Sequence, residues 1–331
     1  MKNVVVANPK AAAGRVRRLW DKSREAMEAR LGGIEVRFTS GLGDATELTR
    51  RAIAEGANRI IAAGGDGTVN EVVNGFFDES GRAARETSLV VYPAGTGGDF
   101  ARSIGMSGTD AVLALDEAEE RLIDVGQAQF VDHNGKNVVR HFVNISSFGS
   151  SGLIVDKVNK STKVLGGRAS FCIGAIRGLV AYNNQRVRLR VDDVFDEEIV
   201  INAVAVANGR FFGGSMMIAP HALLDDGFFD VVVLGDIGLV TFLRYFGKIY
   251  KGRHIGLPEI RELRGRVVEA TPLGREPVLI DLDGEQPGRL PVRYGILPSA
   301  IKLLAPWKRA GAAGCPSKKP HPISRSTHGD C

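Results

Sequence analysis

Four short apolar runs, at residues 4–7, 36–39, 59–63 and 89–92, punctuate the first third of the chain, and stretches of helical periodicity beginning near Arg15, Asp44 and Val69 separate them. Runs this short and mostly apolar read as buried parallel strands. Strands alternating with helices imply crossover connections, and the outcome is a doubly wound α/β layer on a parallel sheet. Ligands of such a layer sit in the crevice outside the carboxyl ends of its strands. The four turns at that edge all carry phosphate-friendly residues: Asn8-Pro9-Lys10-Ala11-Ala12-Ala13-Gly14, the turn after Thr39, Gly64-Gly65-Asp66-Gly67-Thr68, and Pro93-Ala94-Gly95-Thr96-Gly97-Gly98-Asp99. Their convergence predicts a mononucleotide site.

The third turn says most about chemistry. Glycines directly behind a buried strand let the chain turn tightly and bring backbone N–H groups close to a polyphosphate. Thr68 and Glu71 have the spacing of a capping box, which predicts a helix start whose positive end faces the same anion. Asp44 and Glu47 repeat that spacing at the second turn. Asp66 would repel a bare phosphate, and makes sense with a divalent cation between the two. An ordinary strand-to-helix turn is the plain alternative. The chain has no GxxxxGK[ST] and its glycines lack the GxGxxG order, which disfavours a P-loop enzyme and a Rossmann dehydrogenase.

From about Ile123 the texture changes. Strand-like segments at 123–128, 140–146, 187–191, 200–207, 228–234, 267–270, 278–282 and 290–294 follow one another with turn residues between, the pattern of an antiparallel sandwich. Helices are expected within 151–182 and near 239–250. The division predicted is an α/β nucleotide-binding domain (1–122), a mainly-β sandwich substrate domain (123–298), a return segment (299–307) open to packing on the first domain, and a disordered basic tail (308–331). A chain of 331 residues is long enough for two such cores. No apolar stretch spans a bilayer and the first residues show no signal-peptide layout. Cys172, Cys315 and Cys331 lack CxxC spacing, which fits a reduced cytoplasmic setting. A net charge of +5, part of it in the tail, is compatible with an anionic membrane surface, and no zinc-finger or recognition-helix signature points to nucleic acid. A homo-oligomer leaves no readable trace and stays open.

Read in order, NPKAAAG (8–14), FTSGLGDAT (38–46), GGDGTVNEVVNG (64–75), PAGTGGDFAR (93–102), IDVG (123–126), NGRFFGGSMMIAP (208–220), ALLDDGFFDV (222–231) and LDGE (282–285) resemble one family. It is the diacylglycerol kinase catalytic family, specifically its soluble bacterial lipid kinases, which are related to sphingosine kinases and belong to the NAD kinase-like superfamily. The resemblance runs from Asn8 to about Pro306. It implies the NAD kinase/diacylglycerol kinase-like fold, and transfer of the γ-phosphoryl group of ATP, with Mg²⁺, to a lipid hydroxyl. Diacylglycerol, giving phosphatidic acid, stands first among acceptors, for a cytoplasmic enzyme that visits the inner membrane surface. The resemblance also implies roles. Asn8, Pro9, Lys10, Ala11, Ala12, Thr39, Gly64, Gly65, Asp66, Gly67, Thr68, Val69, Asn70, Glu71 and Thr96 would bind the nucleotide. Asp66, Asp99 and Asp124 would anchor Mg²⁺, partly through water, and Asp283 would accept the hydroxyl proton. A second, structural metal maps to Leu223, Asp226 and Phe228, where Leu223 and Phe228 offer only backbone carbonyls. The chain departs from the family at Gly98, where relatives usually carry Asn, and at Ala12 and Ala13, often Gly or Ser.

On the residues alone several readings stand side by side. Asp283 is either a base at a strand end or the first residue of an Asp-Gly hairpin turn. Asp281, two residues earlier, shares its strand face, either as a neighbour that raises the pKa of Asp283 or as an exposed acid. Arg102 is a phosphate contact or a helix-surface charge. Phe211, Phe212, Met216, Met217 and a helix around 171–179 line an acyl-chain cleft or fill the core. His141, His221 and His254 have no ligand spacing. The rival functions are an NAD kinase-like enzyme and a non-catalytic lipid- or nucleotide-binding regulator.

Overall fold

A computed structural model describes residues 1–94, 98–106, 112–160 and 182–307. The apolar runs of the first third become β1 (Asn3–Ala7), β2 (Ile34–Phe38), β3 (Arg59–Gly64) and β4 (Ser88–Pro93), joined through α1 (Ala11–Leu31), α2 (Asp44–Ala54) and α3 (Asp66–Gly75). They pair in parallel in the order β2-β1-β3-β4, with Val5 opposite both Val36 and Ile61, and Ile61 opposite Val90. Val4, Val5, Ile60, Ile61, Leu89 and Val90 are wholly buried, as both faces of a helix-covered sheet require, whereas β2, expected to be buried too, is the edge strand and leaves Glu35 and Phe38 exposed. Trp20, Met27, Val72, Val73 and Phe76 from the helices complete this core. A short α4 (Asp99–Ser103) follows β4.

The second half comprises β5 (Glu119–Asp132), β6 (Asn137–Phe142), β7 (Ile145–Gly149), α5 (Ser150–Lys160), β8 (Gln185–Val191), β9 (Phe195–Ile201), β10 (Ala203–Ala207), β11 (Phe229–Leu234), α6 (Leu239–Tyr250), β12 (Ile260–Gly265), β13 (Val267–Pro272), β14 (Leu279–Leu282) and β15 (Glu285–Ala305). Its strand pairs are antiparallel, as the closely spaced strand pattern predicts. β11 shows how two layers of core arise from one strand. Phe229, Val231 and Val233 pack with Phe142, Phe148 and Tyr294, while Val232 and Leu234 turn to Phe242, Tyr245 and Ile249 of α6. That is the period-two alternation of a strand covered on both sides.

β15 is longer than its alternation predicts. It leaves the second half, pairs antiparallel with β5 from Gly288↔Asp132 to Ala305↔Glu119, and joins β4 in parallel at Lys302↔Ser88 and Leu303↔Leu89. Two expected strands are each broken. Residues 140–146 are β6 and β7, parted at Val143-Asn144, and 200–207 spans the end of β9 and all of β10, parted at Asn202. β12, with the polar sequence IRELRG, carries no strand signal and is held by its pairing with β11.

The capping boxes are also redrawn. α3 begins at Asp66, before Thr68, without a side-chain cap. Glu71 instead accepts from the N–H groups of Gly43 (3.0 Å) and Ala45 (3.1 Å), at the start of the neighbouring α2. Asp44 reaches upstream to the N–H groups of Ser40 (2.7 Å) and Gly41 (3.1 Å). Two helix starts lie side by side, and a carboxylate satisfies whichever orphan N–H groups its position reaches.

Candidate active site

The turns after β1, β2 and β3 open on one cleft of about 400 Å³. Asn8, Lys10, Ala11, Thr39, Gly65, Gly67, Thr68 and Glu71 line it, joined by Glu285 from the second half. The parallel register brings these turns together. Asn8 N–H bonds Ala63 O at 3.0 Å and Thr39 N–H bonds Ala7 O at 2.9 Å, so the chain leaves adjacent strands at one level. At Gly64 a Cβ would lie 2.3 Å from Thr68 Oγ1, which is why this fold-back needs glycine. Pro9 belongs to the first turn, Ala12 to the start of α1, and Val69 to the core. Thr96 lies outside the described residues.

A second cavity, of about 550 Å³, has two chemically distinct ends. Asp66, Asp99, Asp281 and Asp283 line it, and so do Ile154, Ala203, Ala205, Phe212, Met216, Leu234, Phe242 and Ile249. Asp66 faces this cavity while Gly67 faces the first, and Gly284 faces this one while Glu285 faces the first. The two spaces are therefore divided by the Asp66-Gly67 and Gly284-Glu285 segments. Of the predicted apolar cluster, Phe212 and Met216 line the cavity. Phe211 lies under the Arg102 guanidinium, 5.7 Å from ring centre to Cζ, and Arg102 also pairs with Asp99 at 2.9 Å. The helix expected around 171–179 lies outside the described residues.

Asp283 satisfies both of its sequence readings. With Gly284 it forms the two-residue turn between β14 and β15, Leu282 pairing with Glu285, and both turn residues have positive φ (49° and 88°). Its carboxylate points to the break between β6 and β7. There it accepts from the backbone N–H groups of Val143 (3.1 Å), Asn144 (3.2 Å) and Ile145 (3.0 Å), and from the Asn70 side-chain amide (3.0 Å). Burial pushes the carboxyl up to about 6, against the pull of these donors and with the charge of Asp66 adding to the rise. Asp281 is buried rather than exposed, and accepts from Gly284 N–H (2.8 Å) and Ser147 Oγ (3.3 Å). Burial pushes it up to about 7, with the charge of Asp283 contributing.

Asp66 caps α4 from a distance, accepting from the N–H groups of Gly98 (2.9 Å), Phe100 (3.3 Å) and Asp99 (3.4 Å). Asp99 accepts from Gly214 and Ser215 N–H, both at 2.8 Å, and so pins the turn joining Phe212 to Met216. Burial raises the Asp66 carboxyl, and the neighbouring charge of Asp99 raises it further. Asp66 and Asp99 are the two carboxylates that meet at this end of the cavity, and among the described residues no group of three or more His, Cys, Asp or Glu side chains is gathered to hold a metal ion. Asp124 lies against the 224–227 turn, its N–H bonding Leu224 O at 2.6 Å. It is buried, lines neither cavity, and accepts from Gly227 (2.6 Å) and Ser299 (2.8 Å) N–H. Leu223, Asp226 and Phe228 offer a single carboxylate, and that carboxylate is paired with Arg264, whose guanidinium lies 4.6 Å over the Phe228 ring. That carboxylate is thus already engaged by a guanidinium, and the three residues bring no second acid of their own.

Sequence reasoning missed the residues that tie the halves together. Arg140 donates to Asn70 Oδ1 and to Glu285 Oε2, both at 3.0 Å, linking α3 to the partition between the cavities. Ser147 and the N–H groups at the β6–β7 break had no local signal, since a strand's residues look alike until its partner is known. His141 stacks on Phe77 at 3.7 Å and burial drops it to about 4, so it is a neutral structural ring.

This architecture, a parallel α/β layer sharing a sheet with a β sandwich-like second half, is that of the NAD kinase and diacylglycerol kinase class of folds. Residues 2–128 match the diacylglycerol kinase catalytic domain, and residues 144–305 match the YegS C-terminal NAD kinase beta sandwich-like domain. The chain is 32% identical over 276 residues to a diacylglycerol kinase of Bacillus subtilis, covering 82% of this chain and 86% of that one. It is 28% identical over 303 residues to a diacylglycerol kinase of Staphylococcus carnosus, covering 91% and 94%. A crystal structure of a candidate diacylglycerol kinase from Bacillus anthracis superposes with a TM-score of 0.73 at 25% identity, over 92% of this chain and 97% of that one. Yeast NADH kinase, complexed with NADH, shares the fold alone, with a TM-score of 0.51 at 12% identity over 94% and 86%. The chain belongs to the diacylglycerol kinase family. Among its described residues no helix is long and apolar enough to cross a membrane.

Proposed function

We propose that this chain is an ATP-dependent lipid kinase that phosphorylates the free hydroxyl of diacylglycerol at a membrane surface, giving phosphatidic acid. The observation that carries the reading is the thin partition between a glycine-lined cleft and a cavity that runs from buried acids into an apolar interior. A triphosphate suits the first space, with its backbone N–H groups and helix starts. An acyl chain suits the second, where Ala203 and Ala205 leave room that larger side chains would fill. A dinucleotide acceptor does not match apolar walls of this extent.

Asp66 and Asp99 would hold Mg²⁺, which when bound neutralises phosphate charge; no second metal is proposed at Leu223, Asp226 and Phe228. Asp283 would take the proton of the lipid hydroxyl as the new O–P bond forms. Its four acceptor positions are already filled, and Asn70 is the one side-chain donor among them. Asn70 also donates to His141 O at 3.0 Å, so it can turn from Asp283 without losing every partner. Arg140 and Glu285 would brace the partition across which the phosphoryl group passes.

The test is transfer of label from γ-labelled ATP, with Mg²⁺, to a panel of diacylglycerols, other lipid alcohols and NAD. Labelled phosphatidic acid is the expected product, and labelled NAD or an unlabelled panel would overturn the proposal. Asp283→Asn is expected to lower kcat by about 10²–10⁴-fold, the range for loss of a general base.

A further inference from the structure

We propose that the outer face of α6 docks this protein onto an anionic lipid bilayer, an inference that rests on the lipid kinase reading. At 100° per residue the helix divides into three stripes. Phe242, Tyr245 and Ile249 are buried against the second-half core. Beside them Leu239, Val240, Leu243 and Phe246 face outward, 36%, 81%, 53% and 38% exposed. The third stripe holds Arg244 and Lys248, both exposed, and Lys251 and Arg253 continue it beyond the helix end. From Ile237 to Pro258 the chain contains no Asp or Glu.

An exposed apolar stripe bordered by cations, with the neighbouring acid Glu259 held by Tyr245 Oη at 2.9 Å on the buried stripe, is the composition of a helix lying in a membrane interface. Two further observations choose the bilayer over a protein partner. A second copy of the chain, packing this face on itself about a two-fold axis, would set like charges against one another. The same helix also supplies Phe242, Ile249 and Tyr250 to the wall of the apolar cavity. One element therefore carries both the exposed apolar stripe and part of the cavity lining, so a lipid drawn from a bilayer at α6 would have one helix's thickness to cross.

The experiment measures co-sedimentation of the full chain with phosphatidylcholine vesicles, with and without phosphatidylglycerol. The probe is Val240→Glu/Leu243→Glu, neither residue lining the cavity, with its fold checked by circular dichroism and its kinase rate measured on a monomeric short-chain diacylglycerol. Partitioning is expected to fall about tenfold or more as two buried apolar contacts become charges, with the short-chain rate kept. Arg244→Gln/Lys248→Gln is expected to lose roughly fivefold per cation on anionic vesicles and little on neutral ones. Unchanged sedimentation of the Glu variant would overturn the docking, as would light scattering showing that it dissociates a dimer while vesicle binding persists. A wild-type protein that binds vesicles through α6 yet phosphorylates no lipid would leave the docking standing and remove the kinase reading. Short-chain turnover with vesicle binding indifferent to α6 would do the reverse.

Discussion

Asp283 sits where two backbone facts coincide, a left-handed two-residue turn and a break between β6 and β7 that frees three consecutive N–H groups. Neither fact involves a catalytic partner side chain. The one side chain that does, Asn70, holds the carboxyl down against burial. Removing it with Asn70→Ala is expected to move the acid limb of the kcat profile from near pH 6 upward by roughly 0.5–1 pH unit, at about 1 kcal/mol per hydrogen bond and 1.36 kcal/mol per pH unit. A purely structural role would lower kcat equally at all pH values, which a profile between pH 5 and 9 would reveal. Stability follows the same group. Asp283 binds its proton more tightly folded than unfolded, so it favours the fold below its ordinary value of 3.8, and that contribution is lost as pH rises through about 6.

At the scale of elements the site depends on helix starts that cap one another. Glu71 on α3 holds the first turn of α2, and α2 follows the Thr39–Leu42 wall of the glycine-lined cleft. Glu71→Ala is expected to cost about 1 kcal/mol, as cap losses do, and to raise KM for ATP more than it lowers kcat; urea unfolding with ATP titration checks both. The strands and helices of the first third were legible because hydrophobicity and period are local properties: 60–63 is apolar wherever it packs. The caps were not. Thr68 and Glu71 have the capping-box spacing, but which N–H groups Glu71 meets depends on α2 lying alongside, a distance no window of residues contains.

Over the whole molecule β15 is the element that makes one sheet of two halves, from the turn at Asp283 to its pairing with β4. Leu303, wholly buried beside Leu89, is expected to cost 2–5 kcal/mol when cut to Ala, the usual range for such a cavity. Because both halves share the strand, the calorimetric transition is expected to shift as a single peak, and separate peaks for the two halves would refute that coupling. The chain's own letters determined the parallel layer, its glycine turns, the change to closely spaced strands and the acids at 66, 99 and 283, since each is written within a few adjacent residues. Tertiary structure alone decided that Asp283 meets the N–H groups at 143–145, that Asp226 is spoken for by Arg264, and that Asp124 meets the N–H groups of Gly227 and Ser299. Such meetings join residues a hundred or more apart in several cases, and only the register of paired strands sets the distances between them.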